Sequence, residues 1–391
     1  MYCALEDTLD LAEELTALRQ HIHAHPELGY EEHATGDLVA GLLTEWGFTV
    51  TRNIGKTGMV ATLRNGNGKR AVALRADMDA LPIIEATALK YASTVSGKMH
   101  ACGHDGHTTM LLGAARELAR SQRFSGTVHL IFQPAEEVGK RSGAQLMIED
   151  GLFERFPCDA IFGMHNHPGL AAGHFGFHPG PFMCASDTAF ITINGQGGHA
   201  ARPHQAIDPL VAASHVVVAL QAVISRNIDP LQTGIISIGT FHSGHVENVI
   251  PDTAKLGLSI RSFSPEVRQR LKQRITEVAT QQAAVFGATA DVDYHEGYPV
   301  LINSDAETHF ASEVARELVG NDQVDDAFPA ITGSEDFAYY LQRVPGCFMR
   351  LGNGIESAML HNPRYDFNDA NLTVGAAYWT RLVERFLSVS T

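Results

Sequence analysis

The chain lacks every feature that would tie it to a membrane, an oxidising compartment or a polyanion. No run of about 18 apolar residues occurs, so no segment reads as a transmembrane helix. The first residues, MYCALEDTLDLAEEL, are acidic and amphipathic. They have neither the basic start nor the apolar stretch of a secretory leader, and the expected location is the cytoplasm. The five cysteines (Cys3, Cys102, Cys158, Cys184 and Cys347) are odd in number, widely spaced and free of any CxxC pair, which is not a disulfide framework. Basic residues are in deficit. The 29 Lys and Arg against 44 Asp and Glu leave a net charge of −15, which argues against nucleic acid or anionic membrane as a partner. No internal repeat or low-complexity tract is evident. RNGNGKR, Arg64 to Arg70, has a GxG but no third glycine and no following helix, so it reads as a hairpin turn and not a phosphate loop.

What the sequence does have is length and apolar content. Its 391 residues, 45% hydrophobic, suffice for two domains with sizeable cores. LDLAEELTALRQHIHAHPE and EEHATGDLVAGLLTEWGF carry helical spacing. MVATL, AVALRADMD, TVHLIFQPAEE and DAIFGMHNH read as buried strands, with TTMLLGAARELARS predicted as a helix between the second and third. Strands alternating with helices predict an α/β domain with a mostly parallel, mixed sheet covered on both faces.

From about Phe182 the order becomes βαββαβ, the ferredoxin-like unit, with Ser264 as N-cap and Pro265 opening its second helix. After it the α/β pattern resumes through AETHFASEVARELVG, SEDFAYYLQRV, GCFMRLG and a C-terminal helix from Asn371. The expected organisation is a discontinuous domain, residues 1–182 and 297–391, carrying a small α+β domain at 183–296.

In open α/β sheets function gathers beyond the carboxyl ends of the strands. Four predicted strands end in metal-competent groups: Asp77 and Asp79; Glu136 and Glu137; His165 and His167; and a loop bearing His361. MHACGHDGHT, Met99 to Thr108, adds three histidines, a cysteine and an aspartate just before a predicted helix. Cys102 and His104, two apart, can face one ion; thiolate, imidazole and carboxylate together suit zinc or another late divalent ion. Adjacent Glu136 and Glu137 point in different directions, so one can ligate while the other serves as a base beside a metal-activated water. Each element has an ordinary alternative. HxH and CxH are common in surface turns, Glu-Glu is common on solvated faces, and Cys102 could be a buried apolar thiol, as is expected of Cys158 and Cys347. A nucleophilic Cys102 paired with His104 is a further possibility, but it leaves Glu136, Glu137, His165 and His361 unexplained.

RADMDALP, MHACGHDGHT, QPAEE, GMHNHP, GGHAARPH, VENVIPD, TGSEDFAYY and HNPRYDFND occur together and in order. Over nearly the whole chain, from about His23 to Asp369, the sequence resembles the aminoacylase-type dinuclear metallopeptidases. The branch it is most similar to is that of hippurate hydrolases, N-acyl-amino-acid amidohydrolases and auxin-conjugate hydrolases. The resemblance implies a zinc-peptidase-like catalytic domain with an inserted lid that dimerises. It implies two divalent metal ions per subunit (Zn, Mn, Ni or Co) held by Cys102, His104, Glu137, His165 and His361, with Glu136 as general base. Asp77 falls on an aspartate that orients a ligand histidine, while Asp105 and His107 are expected to support the loop and helix start. Arg75 stands where many cousins carry a metal-binding histidine, and Cys102 replaces their bridging aspartate. His199 matches a lid histidine that reaches the partner subunit's site and stabilises the oxyanion. Asn248 and Arg261 match lid residues that hold the substrate carboxylate, and Gly333 and Ser334 match a substrate-contacting turn. The implied reaction is amide hydrolysis of N-acyl (acetyl, benzoyl or similar) L-amino acids by a homodimer, possibly a tetramer. Rivals are a dipeptidase or carboxypeptidase of the same fold, a non-catalytic metal-binding protein, and a scaffold assembling through the lid.

Overall fold

The structure is a computed structural model describing residues 10–388; Cys3 lies outside the described residues. The chain divides into two compact units. The larger comprises the residues up to Gly180, Ile302–Pro329 and those from Asp336 onward; the smaller comprises Pro181–Leu301 and Ala330–Glu335. Gly333 and Ser334 thus belong to the smaller unit, whereas the sequence division puts them in the larger. In chain order the principal elements are α1 (Ala12–Ala24), α2 (His33–Glu45), β1 (Thr49–Ile54), β2 (Gly58–Asn65), β3 (Ala71–Asp77), α3 (His104–Ser121), β4 (Gly126–Gln133), α4 (Gly143–Glu149), β5 (Ala160–Pro168) and β6 (Phe175–Gly176). There follow β7 (Ala185–Asn194), α5 (Pro209–Asn227), β8 (Gly234–Ser243), β9 (Thr253–Ser262), α6 (Pro265–Val285) and β10 (Thr289–Glu296). The chain closes with α7 (Asp305–Val319), β11 (Val324–Asp325), β12 (Gly346–Gly354) and α8 (Asn371–Phe386).

The larger unit is built on an eight-stranded sheet of order β1-β2-β4-β3-β5-β12-β6-β11. Its four central strands, β4, β3, β5 and β12, are mutually parallel, while β1 and β2 run antiparallel at one edge. Parallel strands are covered on both faces, which is why they read as continuous apolar runs; Val72, Leu74, Leu130, Phe132, Phe162 and Phe348 are all fully buried. The parallel sense brings the carboxyl ends of these strands to one edge.

Two local readings are corrected. RNGNGKR is not the turn of a hairpin, because β4 lies between β2 and β3, antiparallel to one and parallel to the other. The turn instead passes the start of β4, where the Gly68 N–H donates to Ser125 Oγ at 3.0 Å. Helix α3 begins at His104 and not near Thr108. Gly103, at φ 95° in the left-handed region, turns the chain straight into it. Any Cβ there would sit 2.3 Å from Asn166 Oδ1, so only glycine fits.

Behind the start of α3 lies a buried ionic cluster. Arg19 of α1 has a side chain sealed from solvent and bonds Asp369 at 2.7 and 2.9 Å, Asp366 at 3.0 Å and Asp105 at 3.5 Å. His23, one helical turn on, reaches Asp105 Oδ2 at 2.8 Å. Arg19→Met removes one charge and strands several others. It is expected to destabilise the protein by about 3 kcal/mol, the lower end for a broken buried pair, because Asp366 and Asp369 keep some contact with water. A urea unfolding curve measures it; an unchanged midpoint would show that the cluster adds no stability.

The smaller unit is a four-stranded sheet of order β8-β9-β7-β10, antiparallel throughout, with α5 and α6 supplying helices in the sequence order βαββαβ. Ser264 Oγ accepts the Val267 N–H at 3.1 Å and Pro265 opens α6. Asp208 caps α5 by accepting the N–H groups of Leu210 and Val211. Helix α5, at 19 residues, is long and apolar enough by composition to cross a membrane. Its Ala212, Ala213, Val216, Leu220 and Val223, however, are buried in the core that this unit forms with Ile191, Leu256 and Leu271.

Candidate metal centre

The strand ends of the larger unit converge on one cluster of donors. Asp77 closes β3 and Asp79 follows it. Glu136 and Glu137 come just after β4. His165 lies within β5, and His361 sits on the loop between β12 and α8. Cys102 and His104 enter from the segment leading into α3. Cys102, Glu136, His104 and His165 are buried, Glu137 is half-buried and His361 is exposed.

The donor atoms fall into overlapping groups. Those of Cys102, His104 and His165 lie within 4.8 Å of one another, and so do those of Cys102, Glu137 and His361. Cys102 is common to both. A third group within the same limit joins His104, Glu136 and Glu137. Cys102 Sγ stands 3.4 Å from His165 Nε2, and His361 Nε2 stands 3.1 Å from Glu137 Oε1. His361 is held at φ 65°, an uncommon conformation for a residue with a Cβ, and its N–H donates to the Ala101 carbonyl at 2.8 Å.

His165 and His104 are each turned by their other nitrogen. His165 Nδ1 is 2.7 Å from the Asn166 carbonyl, which assigns the proton there and leaves the Nε2 lone pair facing Cys102. His104 Nδ1 lies 2.9 Å from the Asp79 carbonyl and 3.1 Å from Asp79 Oδ1. His104 Nε2 is buried without any hydrogen-bond partner, a cost in a folded protein unless something else occupies it. That nitrogen, with Asp77 Oδ2 at 3.5 Å and a thiol, a second imidazole and further carboxylates beside it, fits a late divalent ion.

The electrostatics agree with a site built for a cation. Burial, then Glu137 and Glu136, push the Cys102 thiol well above its ordinary pKa. Burial opposes protonation of His104, but Asp77 and Asp79 outweigh it and raise its pKa to about 10. Burial also works against the Asp77 carboxylate, yet His104, Arg75 and His107 hold it well below the usual range. His165 is kept well below its ordinary value by burial and by the nearby His107 and Arg350. A bound divalent ion would be the largest local charge and would offset the carboxylate field that protonates Cys102 and His104.

Residues near the centre have other partners. His107, on α3, has both nitrogens engaged, by Asp77 Oδ1 at 2.6 Å and Asn166 Oδ1 at 2.7 Å. Asp77 thus bonds His107 through Oδ1, and its Oδ2 also lies 3.5 Å from His104 Nε2, while the carboxylate on the other side of the His104 ring, at Nδ1, is that of Asp79. Asp79 also accepts the Glu137 N–H through Oδ2 at 2.9 Å. Sequence reasoning gives Asp79 only as a strand end; its alternation with Asp77 in RADMD is the available signal. Arg75 bonds Asp77 at 2.7 Å, Gln133 at 2.8 Å and Asp336 at 3.0 Å, so its charge is tied down by two carboxylates. His100 is buried with no partner for either nitrogen, and burial pulls its pKa down to about 4.

The other candidate residues lie in the smaller unit. His199 is exposed and pairs in register with Val249; the Ala200 N–H bonds the carbonyl of exposed Asn248 at 3.1 Å. Arg261 lies on β9 and donates to the Ile260 carbonyl at 3.0 Å. The Gly333 carbonyl accepts the Cys184 N–H at 3.0 Å.

Residues 73–385 match the peptidase family M20/M25/M40. The chain is 42% identical to the hippurate hydrolase of Campylobacter jejuni, over 98% of this chain and 99% of that one. It is 40% identical to the IAA-amino acid hydrolase ILR1-like 5 of Arabidopsis thaliana, covering 99% of this chain and 89% of that one. Among solved structures it matches the Bacillus subtilis YXEP protein, described as a dinuclear metal binding peptidase from the M20 family, with a TM-score of 0.85 and 34% identity over 97% and 99% of the two chains. The protein belongs to the peptidase family M20/M25/M40 and is a metal-dependent amide hydrolase.

Proposed function

We propose that the protein hydrolyses N-acyl L-amino acids, acetyl, benzoyl or similar, to a carboxylic acid and a free amino acid. The observation that carries this reading is the pair of donor groups sharing Cys102 with the Glu136 carboxylate beside them. Cys102, His104, Glu137, His165 and His361 would hold two divalent ions, Zn, Mn, Ni or Co. Ions bound there supply Lewis acidity and lower the pKa of water. Glu136 takes a proton from the attacking water and returns it to the amide nitrogen as the C–N bond breaks. Asp77 helps fix the imidazoles through His107. His199, contributed to the partner subunit's site, donates to the oxyanion.

Asn248 and Arg261 hold the substrate carboxylate, and Gly333 and Ser334 contact the substrate. Arg261 is suited to this role. Among the described residues its guanidinium has no carboxylate partner, and its planar fork matches a carboxylate. Residues 183–296 act as the lid and dimerisation domain of a cytoplasmic homodimer.

The test is a substrate panel run on protein of measured metal content. N-acetyl, N-benzoyl and indoleacetyl amino acids should be cleaved faster than unmodified dipeptides. Chelation should abolish turnover, and Mn²⁺, Co²⁺, Ni²⁺ or Zn²⁺ should restore it. Faster cleavage of dipeptides would make the protein a peptidase, and bound metal without hydrolysis of any amide would make it a binding protein.

A further inference from the structure

We propose that Glu32 is a positioning residue for the general base: its carboxylate, reaching from the start of α2, pins the backbone that aims Glu136. The inference rests on Glu136 being that base.

Glu32 is fully buried although it stands at a helix N-terminus, where a carboxylate ordinarily turns back onto the free N–H groups of its own helix. Here Glu27 has taken those groups. Its two oxygens accept from the N–H groups of His33, Ala34 and Thr35 at 3.1, 2.9 and 2.8 Å. Glu32 is left to point across the unit, where Oε1 accepts the Ala135 N–H at 2.8 Å and Oε2 accepts the Thr57 hydroxyl at 2.5 Å.

Ala135 is the residue immediately before Glu136, and it is held at φ 50° in the left-handed region. That conformation is unfavourable for alanine and needs an outside restraint. The same segment touches the loop elsewhere. A Cβ on Gly29 would meet Val138 Cγ2 at 2.5 Å and Ala135 Cα at 3.1 Å, and the Tyr30 hydroxyl bonds the Arg141 carbonyl. Its other side holds the residue after Asp79, since the Ala80 N–H donates to the Glu27 carbonyl at 2.8 Å. Residues 27–32 thus brace two of the strand ends that serve the centre, those of β3 and β4. Burial, opposed by the Thr57 hydroxyl, pushes the Glu32 carboxyl up to about 7.

The test separates reach from charge. Glu32→Asp keeps the carboxylate but withdraws it from Ala135. It should lower kcat about tenfold or more, as a displaced catalytic group does, while KM and metal content hold. Glu32→Gln keeps an oxygen that can accept the Ala135 N–H and should stay within about threefold of the parent. The proposal is overturned if Glu32→Asp keeps its kcat, if Glu32→Gln falls as far as Glu32→Asp, or if the loss appears in KM or metal content instead. Glu136→Gln tests the underlying assignment separately: its full activity would remove Glu136 as base whatever the Glu32 variants do.

Discussion

Glu136→Gln should leave the metal content of the protein unchanged and lower kcat by at least about a hundredfold, the usual scale for a lost general base. The substitution alters almost nothing but proton chemistry. Gln has the size of Glu and can accept a hydrogen bond, yet it can neither take up a proton near neutral pH nor hand one on. Glu136 and Glu137 are adjacent on a turn just past β4, and their surroundings differ. Glu137 belongs to the donor group with Cys102 and His361, and its N–H is fastened to Asp79. Glu136 shares a donor group with His104 and Glu137 but not with Cys102 or His361. Glu137→Gln is therefore expected to lose metal, and Glu136→Gln to keep it. Metal analysis with kcat measured on the same sample distinguishes the two. A Glu136→Gln enzyme at the parental rate would remove the residue from the mechanism, and one depleted of metal would make it a ligand.

How much of this centre can be read from the chain follows from its topology. Asp77, Glu136, Glu137 and His165 are legible because each ends or closely follows an apolar strand, and parallel strands carry their ends to one edge. His107 shows the limit of a motif. It follows His104 by three residues on one helix, its ring centroid is 5.4 Å from that of His104, and the sequence assigns it to support of the loop and helix start without showing its partners. Only the structure shows that Asp77 and Asn166 occupy both its nitrogens. Glu32 is illegible for a different reason, since it meets Ala135 across 103 residues and no local spacing records such a contact. Strand β1, TVTRNI, escapes a sequence reading because it lies at the sheet edge, only its last residue is buried, and it lacks an apolar run. In the smaller unit the helix starts are readable because Asp208-Pro209 and Ser264-Pro265 are local signals. The membership of Ala330–Glu335 in that unit is not, because it depends on a chain return after the α/β pattern has resumed.

Asp79 carries the second large prediction. Asp79→Ala is expected to weaken metal binding by about 10–100-fold, the range found when a residue that orients a ligand is removed. One carboxylate here serves two ligands. Oδ1 lies 3.1 Å from His104 Nδ1, and Oδ2 accepts the Glu137 N–H at 2.9 Å. The Asp79 backbone carbonyl, 2.9 Å from His104 Nδ1, survives the substitution, so the His104 tautomer should be partly retained. The Glu137 N–H has no such second anchor in this arrangement, and its turn should loosen. Asp79→Asn is the more discriminating change: an amide offers one oxygen and one NH₂ to two donors, so it can satisfy only one of them. It should fall between the parent and Asp79→Ala. Competition with a chelator of known affinity, using Co²⁺ as the bound ion, measures all three proteins. The Co²⁺ spectrum reports whether Cys102 still ligates when affinity drops. Equal affinities would mean that the two-sided bond to Asp79 does not orient the ligands. A loss confined to Asp79→Ala, with Asp79→Asn at the parental value, would assign the effect to a single oxygen and leave either His104 or Glu137 independent of it.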